Sequence, residues 1–242
     1  MAKNATFLIA ISLMSMLLSP AIGQSYVLPP SQIIEFMTKR FEALKALRIT
    51  QLTTVKDLEF EMERAFGEII EVVSPDLYRS EVVGQPGAHL TIHSGSKTLR
   101  IVENSIASES EDNDLLYRFL LLAQTPELMK KRLRSKGIKV DKASLTRLEG
   151  TVAYMIGERG LDNPRLLVDK DRFFPLLLRY GNVSYRFSDY REIMEDTWYP
   201  YHIIFSSQGI IVEEYMAKEI TANQPVDITQ FSIPLIRSQF GK

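Results

Sequence analysis

The stretch from Arg165 to Ala217 constrains this chain most, because its punctuation admits only antiparallel strands. Val183, Tyr185 and Phe187 alternate with Ser184, Arg186 and Ser188, the period-two pattern of a strand with one dry and one wet face. Before it, Arg165 to Val168 and Phe173 to Arg179 are apolar runs parted by Asp169-Lys170-Asp171. After it, Trp198 to Phe205 and Ile210 to Ala217 are parted by Ser-Ser-Gln-Gly. Such connections are too short for a parallel crossover, so neighbouring strands are expected to be hairpin partners.

The first half has the same grammar. Short runs (Ile49 to Val55, Leu58 to Phe66, Glu68 to Val73, Leu77 to Val83, Leu90 to His93, Thr98 to Val102) fall between turn signals at Ser74-Pro75-Asp76, Gly84 to Gly87 and Ser94-Gly95-Ser96. Helices interrupt this. Ser31 is a candidate N-cap for a first helix of about 17 residues carrying Ile33, Ile34, Met37, Phe41, Leu44 and Leu47 at helical spacing. Asp112 or Asn113 is placed to cap a second helix with Leu115, Leu116, Phe119 and Leu120, and Thr125-Pro126 to start a third that ends at Gly137. Ile138 to Val140, Leu145 to Leu148 and Thr151 to Ile156 then lead back to strands. The fold class predicted is α+β: about ten or eleven antiparallel strands, too many for a flat sheet and so expected to curl strongly, with about three helices to cover the inner face. So many strands curl, and few helices cover them, so periodicity leaves two outcomes open: a concave apolar pocket, or helices that fill the concavity completely and leave an ordinary core.

Lys3, the apolar run from Phe7 to Leu18 and the small residues Ala21-Ile22-Gly23 have the form of a cleavable signal peptide over residues 1–23. Its apolar part is shorter than the roughly 20 residues of a spanning helix. The expectation is one mature domain over residues 24–242 in the periplasm. Cysteine is absent, so stability rests on a core rather than on disulfides, and no lipid-modified cysteine anchors the chain. A formal charge of −1 supplies no basic field, and no nucleic-acid partner is expected.

Catalytic signatures are lacking: there is no Gly-x-Ser-x-Gly, no His-Glu-x-x-His and no dinucleotide loop. Ser94-Gly95-Ser96-Lys97-Thr98 has the wrong spacing for a phosphate loop and reads as a hairpin turn. His89 and His93 lie on one strand face but roughly 13 Å apart along it, too far to share a metal. No catalytic residue, metal or cofactor is expected, and the protein is read as a non-enzyme. The acidic residues Glu109, Glu111, Asp112 and Asp114 precede one helix and a basic run from Lys130 to Lys136 closes another, both complementing the helix dipole. Five positive charges exceed what capping needs, so Lys130, Lys131 and Arg134 are candidates for docking anionic headgroups or an acidic partner, with transient membrane contact.

Several stretches together resemble the LolA-like family of periplasmic outer-membrane lipoprotein carriers and lipoprotein-sorting relatives: GEIIEVVSPDLYR (Gly67 to Arg79), SGSKTLRI (Ser94 to Ile101), VDKDRFFPL (Val168 to Leu176), WYPY (Trp198 to Tyr201) and Phe231-Ser232-Ile233-Pro234, which is similar to the family's last strand. Arg100 stands where the carriers commonly place an aromatic. The resemblance implies an incomplete antiparallel barrel closed by a lid of helices around a hydrophobic cavity for lipoprotein acyl chains or another lipid, with an inner-membrane donor and an outer-membrane acceptor. On that basis the cavity-lining candidates are Ile33, Met37, Phe41, Leu116, Phe119, Leu120, Met129, Leu133, Tyr185 and Phe187. It implies equally an alternative, an envelope-stress sensor that binds lipids and a membrane protein; relatives of that kind carry a further C-terminal domain, for which Phe231 to Lys242 is too short.

Overall fold

A computed structural model describes residues 27–57, 62–111, 114–160 and 162–241. The proposed signal peptide, the caps Asp112 and Asn113, and Leu58 to Glu61 lie outside the described residues.

Thirteen strands form one antiparallel sheet. The first six are β1 (Ala46–Asp57), β2 (Met62–Val73), β3 (Leu77–Val83), β4 (Leu90–Ser94), β5 (Lys97–Val102) and β6 (Ser105–Ser110). The other seven are β7 (Ala143–Leu148), β8 (Thr151–Gly157), β9 (Arg165–Asp169), β10 (Pro175–Tyr180), β11 (Val183–Met194), β12 (Thr197–Ser207) and β13 (Ile210–Ala222). Their order is β6-β5-β4-β3-β2-β1-β13-β12-β11-β10-β9-β8-β7. Each half is thus a meander, and the one pairing between strands distant in sequence is β1 with β13. Edges β6 and β7 do not meet, so the barrel stays open.

Local chemistry explains the meander. The β5–β6, β7–β8 and β12–β13 hairpins turn through two residues that both have positive φ, Glu103-Asn104, Glu149-Gly150 and Gln208-Gly209, the conformation that matches strand twist. The Gly95-Ser96 hairpin expected between β4 and β5 is present. Register shifts at Thr50/Gln51, Pro175/Leu177, Glu192/Met194 and Phe205/Ser206 are points where the sheet curls more sharply.

Among the described residues four α-helices accompany the sheet: α1 (Pro30–Arg40), α2 (Leu116–Phe119), α3 (Pro126–Ser135) and α4 (Ile233–Phe240), the last preceded by a 3-10 turn at Ile228–Phe231. The first three fill one end of the concave face, and their apolar residues join Ile49, Ile70, Ile156, Leu166 and Leu178 of the sheet in a single core. Helix α4 instead lies on the outer face, where Ile233 and Ile236 cover Ile92, Leu99 and Ile101.

Several expectations need correction. There are thirteen strands rather than ten or eleven: β6 reads Ser-Ile-Ala-Ser-Glu-Ser and is exposed throughout, so as an edge strand it has no apolar face to betray it. Gly67 does not divide the second run, because β2 passes through it. Helix α1 is 11 residues long and begins after Pro29, whose carbonyl accepts from Gln32 and Ile33, so Ser31 is no cap. Leu44 and Leu47 continue the helical spacing, yet Leu47 pairs with Val72 and Ala222 in the sheet. Ile138 to Val140 belongs to no strand, whereas Leu145 to Leu148 and Thr151 to Ile156, also expected to lead back to strands, fall in β7 and β8. Phe231 to Pro234 ends the 3-10 turn and starts α4 instead of forming a strand, with Pro234 in the first helical turn, where its missing N–H costs nothing. Thr125 caps α3 as expected, its Oγ accepting from Leu128 N at 3.2 Å.

Gly157 ends β8 at φ +118, and a Cβ there would lie 2.6 Å from the Pro164 carbonyl oxygen. Gly209, at φ +80, has nothing within 4 Å. Gly157→Ala is therefore expected to lower unfolding free energy by at least about 2 kcal/mol, and Gly209→Ala by about 1 kcal/mol, in urea titrations.

Candidate functional site

The concave face is filled unevenly. At the helical end, Ile33, Met37, Phe41, Leu116, Phe119, Leu120, Met129 and Leu133 are all buried and packed against one another and the sheet. Towards Val55 of β1, Phe66 of β2 and the β12–β13 turn the helices stop, and a cavity of about 480 Å3 remains. Its walls come from Thr53 and Val55 of β1, Phe66 and Glu68 of β2, Tyr78, Ser80 and Val82 of β3, and Arg100 of β5. Tyr185, Phe205, Glu213 and Tyr215 close the other side, with Asp114, Leu115 and Tyr117 above.

Register explains why these side chains meet. Val55 pairs with Glu213, Glu213 with Phe205, and Phe205 with Tyr185, so one row of side chains crosses four strands. In the next row Thr53 pairs with Tyr215 and Tyr215 with Ile203. Tyr117, brought in by α2, stacks on Tyr185 at 4.2 Å between ring centroids and lies 6.0 Å from the Tyr215 ring; Tyr185 stacks in turn on Phe205 at 5.0 Å.

A polar network lies beneath these rings. Arg118 of α2 is 2% exposed; its Nη2 donates to Gln51 Oε1 at 2.9 Å and its Nη1 approaches Tyr199 Oη at 3.4 Å. Its guanidinium carbon lies 4.9 Å and 5.3 Å from the Tyr117 and Tyr215 ring centroids, so π-faces rather than a carboxylate answer this buried charge. Glu68 accepts from Gln51 Nε2 at 2.8 Å, from Thr53 Oγ at 2.7 Å and from Ser80 Oγ. At the rim, Tyr180 and Tyr185 both donate to Asp114, with Lys136 Nζ 3.6 Å from the same carboxylate. Burial, reinforced by Asp114, pushes both phenols far above the usual tyrosine range.

A second cavity, of about 200 Å3, sits under α3 between Asp76, His93, Phe119, Arg132 and Lys136. His93 is fully buried and lies 3.0 Å from Thr98 Oγ. Arg132 donates to the Pro75 carbonyl at 2.8 Å and lies over the Phe119 ring. Arg132 and Lys136 thus serve internal contacts; of the basic run, Lys131 and Arg134 are exposed and Lys130 lies 3.9 Å from Glu127. Among the described residues no group of three or more His, Cys, Asp or Glu side chains is arranged to hold a metal.

Of the ten lining residues named from sequence, Tyr185 borders the larger cavity, Leu116 and Phe119 border the smaller one, and Phe187 and the remaining helix residues lie in the packed core. Glu68, Glu213, Arg118, Tyr117 and Tyr215 were missed. A signal existed: Gln51 and Thr53 continue the inward row of Leu47 and Ile49, and Glu68 that of Val72 and Ile70. Polar residues in a dry row mark a buried network or a binding site.

An open antiparallel sheet curled around inserted helices defines a class of barrel-like proteins with an internal cavity. Within that class this chain has the LolA-like fold. It superimposes on a LolA superfamily protein from Nitrosomonas europaea with a TM-score of 0.55 at 11% identity, covering 86% of this chain and 100% of the other. A domain from Vibrio parahaemolyticus assigned to outer-membrane lipoprotein sorting gives 0.54 at 12% identity, covering 86% and 97%. A DUF1329 family protein from Desulfovibrio piger gives 0.56 at 11% identity, with coverage of 86% and 97%. No protein-family model and no curated protein matches the sequence.

Two outcomes are expected. Gln51→Leu leaves Arg118 without its closest acceptor and is expected to cost about 3 kcal/mol in urea unfolding. Burial holds His93 below its ordinary value of 6.5, opposed by Asp76 and assisted by Arg132. The unfolded chain then takes up the proton first as pH falls, so this contribution is intact above pH 6.5 and lost below it. Urea midpoints at pH 7.5 and 5.5 are expected to differ more in the native chain than in His93→Asn.

Proposed function

We propose that this chain is a non-catalytic periplasmic carrier that holds the acyl chains of a lipoprotein or related lipid and passes them towards the outer membrane. The observation that carries this reading is the cavity of about 480 Å3 between Val55, Phe66, Phe205 and Glu213, beyond the part of the concave face that the helices fill, within the range of small-ligand sites. The LolA-like fold supports it, as do an N-terminal segment with the form of a signal peptide and, among the described residues, the lack of any helix long and apolar enough to cross a membrane. Lys131 and Arg134, exposed on α3, are the proposed contacts to a headgroup or to an acidic donor or acceptor.

Energy favours capture. Each buried methylene contributes about 0.8 kcal/mol, so a chain of about sixteen carbons offers roughly 10 kcal/mol before ordering costs. Release is the harder step. Here the acyl site is not a wholly apolar trough but one floored by hydroxyls and carboxylates, and such a floor fits a chain imperfectly, which lets a better acceptor take it.

Native mass spectrometry of the gently purified envelope form tests the reading: co-purifying acylated cargo supports carriage, whereas a stoichiometric protein partner without lipid would replace it with the sensor alternative. Val82 lines the cavity and is only partly buried. Val82→Trp is expected to weaken binding of a fluorescent fatty-acyl probe about tenfold, a loss of ~1.4 kcal/mol, with little change in the urea midpoint.

A further inference from the structure

We propose that the cavity selects cargo by the sign of its polar end, accepting an amphiphile with an ammonium group and disfavouring one with a sulfate, phosphate or free carboxylate. This rests on the carrier reading and adds a cargo class to it.

The charged groups in the wall do not cancel. Among the described residues, Glu68, Asp114 and Glu213 line the cavity as carboxylates, and Arg100 is the lining side chain with a permanent positive charge. Asp114 has a cation beside it in Lys136. Glu68 and Glu213 enter no ion pair with a described residue: Glu68 accepts from the neutral Gln51, Thr53 and Ser80, and Glu213 accepts from Tyr215 Oη at 2.5 Å. Arg118 does not offset them at the cavity surface, because it lies behind the Tyr117 and Tyr215 rings and is 2% exposed.

Position decides which carboxylate meets the head. Glu68 is held by three donors and linked through Gln51 to Arg118, so it belongs to the floor. Glu213 sits in the cross-strand row between Val55 and Phe205, beside Tyr215, with apolar wall on either side. The faces of Tyr117, Tyr185 and Phe205 are largely spent on one another, which leaves the Glu213 carboxylate rather than a ring as the partner for an ammonium group. A chain laid along Val55, Phe205 and Leu115 would bring its polar end to this point. An anionic end there would meet like charge in a partly dry site, where repulsion is poorly screened.

The test uses displacement of a neutral fluorescent alkyl probe from the folded protein by dodecyltrimethylammonium, dodecyl sulfate and dodecyl maltoside, each below its micellar concentration, with near-ultraviolet circular dichroism confirming the fold. The expected result is that the trimethylammonium compound binds about tenfold more tightly than the sulfate, that Glu213→Gln brings the two to equal affinity, and that Glu213→Lys reverses the order. Equal affinities for the three, or a preference unchanged in both variants, would overturn the sign selection and leave the carrier reading standing. Failure of all three to displace the probe, together with no probe binding, would remove both. Displacement by tetramethylammonium at equally low concentration would show that the head alone suffices and would overturn the assignment of an amphiphile.

Discussion

Everything in this molecule depends on the pairing of β1 with β13. All the other strand pairs join neighbours in sequence and need only a turn; this one brings together segments from the two ends of the described chain. Its closure costs the most chain entropy, and it alone turns two separate meanders into one sheet curled enough to enclose a core. The partners are well suited to hold. Leu47, Ile49, Ala222 and Ile220 interlock in the lower rows, and Asn223 binds the loop before β1 by accepting from Lys45 N and Ala46 N and donating to the Ala43 carbonyl.

The same seam creates the site. The register shift between Thr50 and Gln51 falls where the inward row changes from apolar to polar. Below it, Leu47 and Ile49 meet the helices; above it, Gln51 and Thr53 meet Arg118, Glu68 and Tyr215. One bend in one strand therefore separates the packed part of the concave face from the vacant part. A buried arginine answered by an amide and two rings is an expensive way to build a core. At the boundary of a cavity it has a use, since it fixes the positions of α2 and of Tyr117, which forms part of the cavity wall.

How much of this was legible follows from what period-two alternation encodes. Strands with one dry face, such as β11 with Tyr185 and Phe187, were plain, as were the tight turns at Gly95-Ser96 and Gln208-Gly209. The edge strand β6 was hidden because neither of its faces is buried, and α1 was read too long because Leu44 and Leu47 keep a helical spacing that sheet pairing overrides. The site was misread for a related reason. Burial in a core and exposure to a cavity select the same apolar helix side chains, so sequence alone does not separate Met37 and Leu120, which pack in the core, from Leu116 and Phe119, which border the smaller cavity. Glu68 could be placed by its row with Ile70 and Val72, but nothing local to Glu213 announces that β13 turns it towards the same space across β1.

The helical segment α2–α3 is spliced into the connection between β6 and β7, the two edges that fail to meet. It is therefore a strap fastened at both ends to opposite lips of the same opening, not a flap hinged on one side. Pulling it outward draws on both lips together, while spreading the lips tightens the strap across the gap. The gap between the two edges is thus bridged by a segment that is itself held to β1 through Arg118 and Gln51.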